Sequence, residues 1–152
     1  MPSSANTALV TGASSGIGAV YAERLAERGN DLILVARSAA RLEERAAALR
    51  ARTGRAVEIL PADLQQPDDV ARIAGRLRED ARIGLLVNNA GTAVAGPATA
   101  ADPTRLDGMV QLNTVAAMHL AIAAGAAFKA RGGGVLVNIA SVLGLAPEMF
   151  NA

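Results

Sequence analysis

The stretch Ala8-Leu9-Val10-Thr11-Gly12-Ala13-Ser14-Ser15-Gly16-Ile17-Gly18 decides the architecture. Aliphatic residues run into a glycine turn, and a segment of helical period follows directly. Ala8 to Val10 reads as a strand ending at Thr11-Gly12. A helix follows from about Gly16 to Arg28, with Ile17, Tyr21 and Leu25 on one face and Gly29 as its stop. Gly12, lacking a Cβ, permits a sharp turn; Gly16 lets the backbone approach a pyrophosphate, and Gly18 lets helix and strand pack closely. Free N–H groups and the positive end of the helix dipole then face the phosphates. The strict G-x-G-x-x-G pattern is not met, because Tyr21 holds its last glycine position, and Ala19 stands where a Walker loop requires lysine. A Gly/Ser turn without a ligand is the plainer reading. A strand before it and a helix after it argue against that.

The same rhythm continues outward. Leu32 to Val35 is a second strand, apolar on both faces. Ser38 caps a helix with a Leu42, Ala46 and Leu49 stripe, closed by Gly54. Val57 to Leu60 is a third strand, and Pro67 opens a helix whose Val70, Ile73, Ala74 and Leu77 keep i, i+3, i+4, i+7 spacing. Leu85 to Val87 makes a fourth strand. After a Gly/Ala/Pro loop, Asp102-Pro103 starts a long helix ending at Gly132 to Gly134, and Val135 to Ile139 is a fifth strand. Strands apolar on both faces, alternating with helices, predict an α/β domain with a doubly wound, Rossmann-type parallel sheet in the order 3-2-1-4-5. A single domain over residues 1–152 is expected. Val135 to Ile139 would be an apolar sheet edge, open to pairing with another chain.

Composition narrows the chemistry. Of 152 residues 51% are apolar, enough to bury a core. The aromatics are Tyr21, Phe128 and Phe150, too few for base stacking on single-stranded nucleic acid. Lys+Arg is 15 against Asp+Glu 14, so no polyanion-binding field exists, and no nucleic-acid partner is expected. The absence of Cys removes disulfides and thiolate sites, and His119 as the one histidine removes His-rich metal sites. No metal is expected. Met1 to Asn6 lacks a basic segment leading into an apolar run, and the apolar stretch Val115 to Phe128, broken by His119, is too short to span a bilayer. A cytoplasmic protein without a membrane partner is the expectation.

The pattern Thr11-Gly12-x-x-x-Gly16-x-Gly18 resembles the cofactor loop of the short-chain dehydrogenase/reductase family. Three further segments agree in order and place: Asp63-Leu64 after the third strand, Asn88-Asn89-Ala90-Gly91 ending the fourth, and Ser141 after the fifth. The resemblance spans nearly the whole chain. It implies that Gly12, Ser14, Ser15, Gly16, Ile17 and Gly18 hold the dinucleotide phosphates. Asp63, with Leu64 beside it, would meet the adenine amino group, and Asn89, Ala90 and Gly91 would line the adenosine ribose. It further implies that Asn113 kinks its helix and holds a water in a proton relay. Ser141 would hydrogen-bond the substrate carbonyl and is not a nucleophile, since its surroundings are not G-x-S-x-G and only His119 could act as base. Each segment also has a plainer role: Asp63 as a turn former, Asn88 to Gly91 as a strand-to-loop turn, Asn113 satisfying a backbone carbonyl, Ser141 capping a strand. His119 reads as a packed or interface residue, and Met109, Val110, Leu112 and Met118 as core or subunit contact.

Arg37 ends the second strand, and Ala36 precedes it where NAD-preferring members of that family carry an acidic residue. A carboxylate there would repel a 2′-phosphate, whereas a guanidinium offers it a forked donor. Charge-assisted hydrogen bonds are worth roughly 1.5–3 kcal/mol, about one to two decades in affinity. NADP(H) is therefore the expected cofactor, although a solvated Arg37 leading the second helix would look the same.

The family's proton donor and its supporting lysine form a Tyr-x-x-x-Lys pair, and this sequence has none. Tyr21 has Leu25 four residues on, and Lys129 has no tyrosine partner. Counted from Ser141, the expected tyrosine falls just beyond Ala152. The chain is thus expected to be the N-terminal part of an NADP-dependent oxidoreductase that moves a hydride between nicotinamide and a carbonyl or alcohol substrate. Its parent would be a homo-oligomer, and these 152 residues alone would be inactive. The other reading is a nucleotide-binding or interaction module without turnover, which has no use for both Asn113 and Ser141.

Overall fold

The computed structural model describes residues 6–141; the N-terminal segment apart from Asn6, and Phe150, lie outside the described residues. The elements are β1 (Thr7–Thr11), α1 (Gly16–Glu27), β2 (Asp31–Ala36), α2 (Ala39–Thr53), β3 (Val57–Pro61), α3 (Pro67–Glu79) and β4 (Ile83–Asn88). A short 3-10 turn (Ala98–Ala100) precedes α4 (Pro103–Val110), a π-helical segment (Gln111–Ala116), α5 (Ala117–Ala130) and β5 (Val135–Asn138). The sheet is parallel in the order β3-β2-β1-β4-β5, the doubly wound arrangement expected from the alternation of elements.

Alternation along the strands divides the core in two. Leu9, Ile33, Val35 and Leu86 pack with Val70, Ile73 and Leu77 of α3 and Leu120 and Ala124 of α5. Ala8, Val10, Leu32 and Leu34 face the other way, against Ala22 and Leu25 of α1 and Leu42, Ala46 and Leu49 of α2. Helix boundaries follow local chemistry. Ser38 Oγ accepts from Arg41 N–H at 3.4 Å, and Gly54 closes α2 in the left-handed region at φ 67°.

Several expectations need correction. The buried face of α1 is Gly18, Ala19, Ala22, Leu25 and Ala26; Ile17 is 57% exposed and Tyr21 half-buried. A helix this close to the sheet must present small residues, so the larger side chain at Ile17 is turned outward, over the carboxyl edge. The single long helix is an α–π–α composite. It runs 28 residues from Pro103 to Ala130 and contains an 18-residue window of mean hydropathy 1.3, so by length and composition alone it could cross a bilayer, contrary to the estimate from the apolar run alone. Here Leu120, Ala123, Ala124, Ala127 and Phe128 are buried in the fold. Val110, Met118 and His119 are exposed, so the core or packed half of their reading falls and the subunit-contact or interface half is what remains. The fifth strand ends at Asn138, although Ile139 N–H still donates to Asn88 O at 3.0 Å. Val135 and Leu136 on this edge strand are 52% and 41% exposed.

The amino edge of the sheet is dressed in charge. Arg76 reaches Glu58 at 2.7 Å and Asp80 at 3.1 Å, Arg82 reaches Asp80 at 2.6 Å, and Arg55 reaches Asp31 at 2.7 Å. The Arg82 guanidinium beside Asp80 holds its carboxyl at about 2, down from an ordinary 3.8.

Candidate functional site

The loops that leave the carboxyl ends of β1, β2, β3 and β4 converge on a cleft of about 560 Å³. It is lined by Gly12, Ser14, Ser15, Gly16 and Ile17 from the first loop, Arg37 and Arg41 from the second, Asp63 and Leu64 from the third, and Asn89, Ala90 and Gly91 from the fourth. Of the dinucleotide residues expected from the sequence, only Gly18 lies outside the lining. It is buried behind the loop.

Three glycines act in three different ways. Gly12 has φ +67°, and a Cβ there would stand 2.7 Å from Asn89 Nδ2. At Gly18 a Cβ would collide with Asn89 Nδ2 and lie 2.5 Å from Gly12 O, so loop and helix can close on each other only without it. Gly16 has φ +54° and nothing within 4 Å of the Cβ position, so its exposed backbone borders open space in the cleft. That pattern fits a close approach by a phosphate chain.

Thr11 and Asn89 lock this loop to its neighbour. The buried Thr11 Oγ1 accepts from Asn89 N–H at 2.9 Å and from Ala90 N–H at 3.0 Å. Asn89 Nδ2 donates back to Thr11 O at 2.9 Å. One step earlier, Asn88 Nδ2 donates to Ala117 O at 2.7 Å and to Asn138 Oδ1 at 3.2 Å, tying β4 to the start of α5 and to β5. The sequence motif contains Thr11 without assigning it a role. Its signal was there: a hydroxyl at a buried strand end must meet backbone groups from an adjacent strand.

Asp63 serves its turn. Its Oδ1 accepts from Gln65 N–H at 3.1 Å while its own N–H donates to Asp69 Oδ2 at 2.7 Å. The Arg72 guanidinium and that N–H together hold the Asp69 carboxyl below its ordinary value. Asp63 nonetheless borders the cleft, half-buried, so its two readings coexist. Arg37 is exposed on the β2 wall, and Arg41, missed by the sequence reading, stands on the first turn of α2 beside it. Asp63 is the one acidic side chain among the described residues that line the cleft, so both guanidiniums dominate the β2 end.

A second cavity of about 630 Å³ adjoins the first through Ile17, Asn89, Ala90, Gly91 and Thr92. Asn113 and Ser141 line it together. Asn113 sits in the π-helical segment and is exposed. Its Oδ1 accepts from Thr92 N–H at 2.9 Å and its Nδ2 donates to Thr92 O at 2.8 Å. The widened helical turn and this two-way clamp occur at one residue, which supplies a tertiary cause for the break in helical register. Ser141 is exposed at the end of the described chain, beyond β5.

Comparison with known proteins agrees with this arrangement. The short chain dehydrogenase family matches residues 6–152. A very-long-chain 3-oxoacyl-CoA reductase of Anas platyrhynchos is 33% identical over 145 residues, covering 92% of this chain and 46% of its own length. Among solved structures, a short-chain dehydrogenase from Sphingobium yanoikuyae in complex with NADPH superposes with a TM-score of 0.92 at 53% identity, covering 94% of this chain and 56% of that one. The bulky-bulky ketone specific alcohol dehydrogenase from Comamonas testosteroni gives 0.92 at 48% identity, over 95% and 58%. The chain spans about half the length of the relatives it matches.

Proposed function

The chain belongs to the short-chain dehydrogenase family, and from that premise we propose that it forms the dinucleotide-binding portion of an NADP-dependent oxidoreductase acting on a carbonyl or alcohol. The observation that carries this reading is the cleft itself: an open glycine backbone at Gly16 faces the same space as Arg37 and Arg41. The residues present fit the group. Backbone N–H groups at the start of α1 would meet the pyrophosphate, Asp63 and Leu64 the adenine, and Asn89, Ala90 and Gly91 the ribose. Arg37 and Arg41 would hold a 2′-phosphate, which the NADPH-bound Sphingobium yanoikuyae relative supports.

A bound nicotinamide would supply or accept the hydride. Ser141 would donate a hydrogen bond to the substrate oxygen in the second cavity, and Asn113, through Thr92, would set the wall opposite. The nature of the relatives supports a small-molecule substrate, a ketone or its alcohol. A cytoplasmic, homo-oligomeric parent completes the reading.

Residues 1–152 contain no Tyr-x-x-x-Lys, and Ser141 is too weak an acid to protonate an alkoxide in its place. A positioned general acid contributes about 10²–10⁴-fold. We therefore expect residues 1–152 alone to be inactive and a chain that also carries such a pair to be active. NADPH oxidation with a panel of ketones and aldehydes compares them, and equal rates would refute the roles given. The module reading would gain if the extended chain bound NADPH without turning over any of them.

A further inference from the structure

Arg45 lies one turn beyond Arg41 on α2, and its Nε donates to Ser14 O at 3.0 Å. The rest of the loop is tied by other means. Ala13 N–H donates to Val35 O at 3.2 Å, and Asn89 Nδ2 donates to Thr11 O at 2.9 Å. Both tethers act before Ser14. From Ser14 to the start of α1, the Arg45 bond is the one side-chain tether to the loop among the described residues.

The direction of that bond matters. A trans peptide sends its C=O and N–H to opposite sides. With Ser14 O held toward α2, the Ser15 N–H on the same peptide points away from α2. A flipped peptide would put a carbonyl oxygen where that donor stood, and a phosphate would meet an acceptor.

We propose that Arg45 is a positioning residue for the dinucleotide: by holding Ser14 O, it fixes the Ser14–Ser15 peptide so that the Ser15 N–H serves the pyrophosphate. This rests on the dinucleotide reading of the cleft above. Helix α2 then acts twice, one turn apart, with Arg41 beside Arg37 at the 2′-phosphate and Arg45 behind the loop.

Ligand choice separates the two roles. NADH has the pyrophosphate without the 2′-phosphate, and adenosine 2′-monophosphate has the reverse. In calorimetric titrations of the full-length protein, Arg45→Ala weakens NADH and NADPH alike, by roughly five- to tenfold, and leaves adenosine 2′-monophosphate unchanged. Arg37→Ala does the opposite: it weakens NADPH and adenosine 2′-monophosphate and spares NADH. Arg45→Lys, which returns one donor, falls between wild type and Arg45→Ala. If Arg45→Ala bound NADH as wild type does, or lost adenosine 2′-monophosphate in equal measure, the inference would be wrong while the proposed function stood. A wild type that binds neither NADH nor NADPH would overturn the proposed function, and this inference with it.

Discussion

At the carboxyl edge of the sheet, Thr11, Gly12 and Asn89 meet through neutral hydrogen bonds between side chain and backbone, and Asn88 ties on to Ala117 O, around an open cleft. At the amino edge the same strands begin among ion pairs, where Arg76, Glu58, Asp80 and Arg82 share one network. The contrast teaches how one scaffold keeps paired charge away from the edge where its loops gather. Strands of a parallel sheet all end together, so the loops that follow them can gather at one edge and present backbone donors to a ligand. Mobile, mutually paired charges at that edge would compete for the same ligand. At the other edge nothing needs to enter, and charge can close the surface.

The largest test of this division falls on Gly18. A methyl group there must displace Gly12 O or Asn89, both parts of the loop. Gly18→Ala is expected to lower NADPH affinity by at least about a hundredfold and to destabilise the fold by roughly 1–3 kcal/mol. Calorimetry and thermal melting read the two effects, and wild-type affinity would break the claim that loop closure needs this contact.

Thr11→Val comes next. It strips the acceptor from two backbone N–H groups, each costing about 1–3 kcal/mol when left unpaired in the interior. A loss of roughly 2–4 kcal/mol by urea denaturation is expected, with Thr11→Ser recovering most of it. If Thr11→Val were as stable as wild type, the first and fourth loops would not be locked as described.

Arg37→Ala should weaken NADPH by about ten- to a hundredfold and leave NADH alone. Equal wild-type affinities for the two cofactors would defeat the NADP assignment.

The smallest effect belongs to the amino edge. Asp80 titrates at about 2 in the folded protein against an ordinary 3.8. A depressed carboxyl contributes stability above the ordinary value and loses it as pH falls from about 4 to about 2. Asp80→Asn should cost roughly 1 kcal/mol near neutrality, flatten the acid limb of stability in that window, and leave NADPH affinity at neutral pH unchanged. A change in cofactor affinity there would show that the two edges are coupled after all.

Much of this was written in local sequence. Strand and helix order followed from apolar period and caps. Three segments that border the cleft could be marked from glycines, asparagines and an aspartate placed just after strands, where doubly wound sheets bind ligands, and their roles were what the family resemblance implied. Those signals survive because each acts within a few residues: Gly12 and Gly16 need left-handed backbone, and Ser38 caps its own helix.

What the order of residues could not settle was which atoms meet across the sheet. Of the stripe Ile17, Tyr21 and Leu25, Leu25 is buried and Tyr21 packs against the core, but Ile17 is turned out and small residues make the rest of the face, because the distance from α1 to β1 is set by Gly18 against Gly12. The π-helical turn at Asn113 answers to the Thr92 backbone, twenty-one residues away, and not to any local breaker. Arg41 and Arg45 read as ordinary exposed positions of α2. Only the crossover that brings α2 beside the first loop makes one a cleft wall and the other a tether to Ser14. Periodicity records what each segment must bury; partners across the fold are chosen by the spacing between segments, which no single segment encodes.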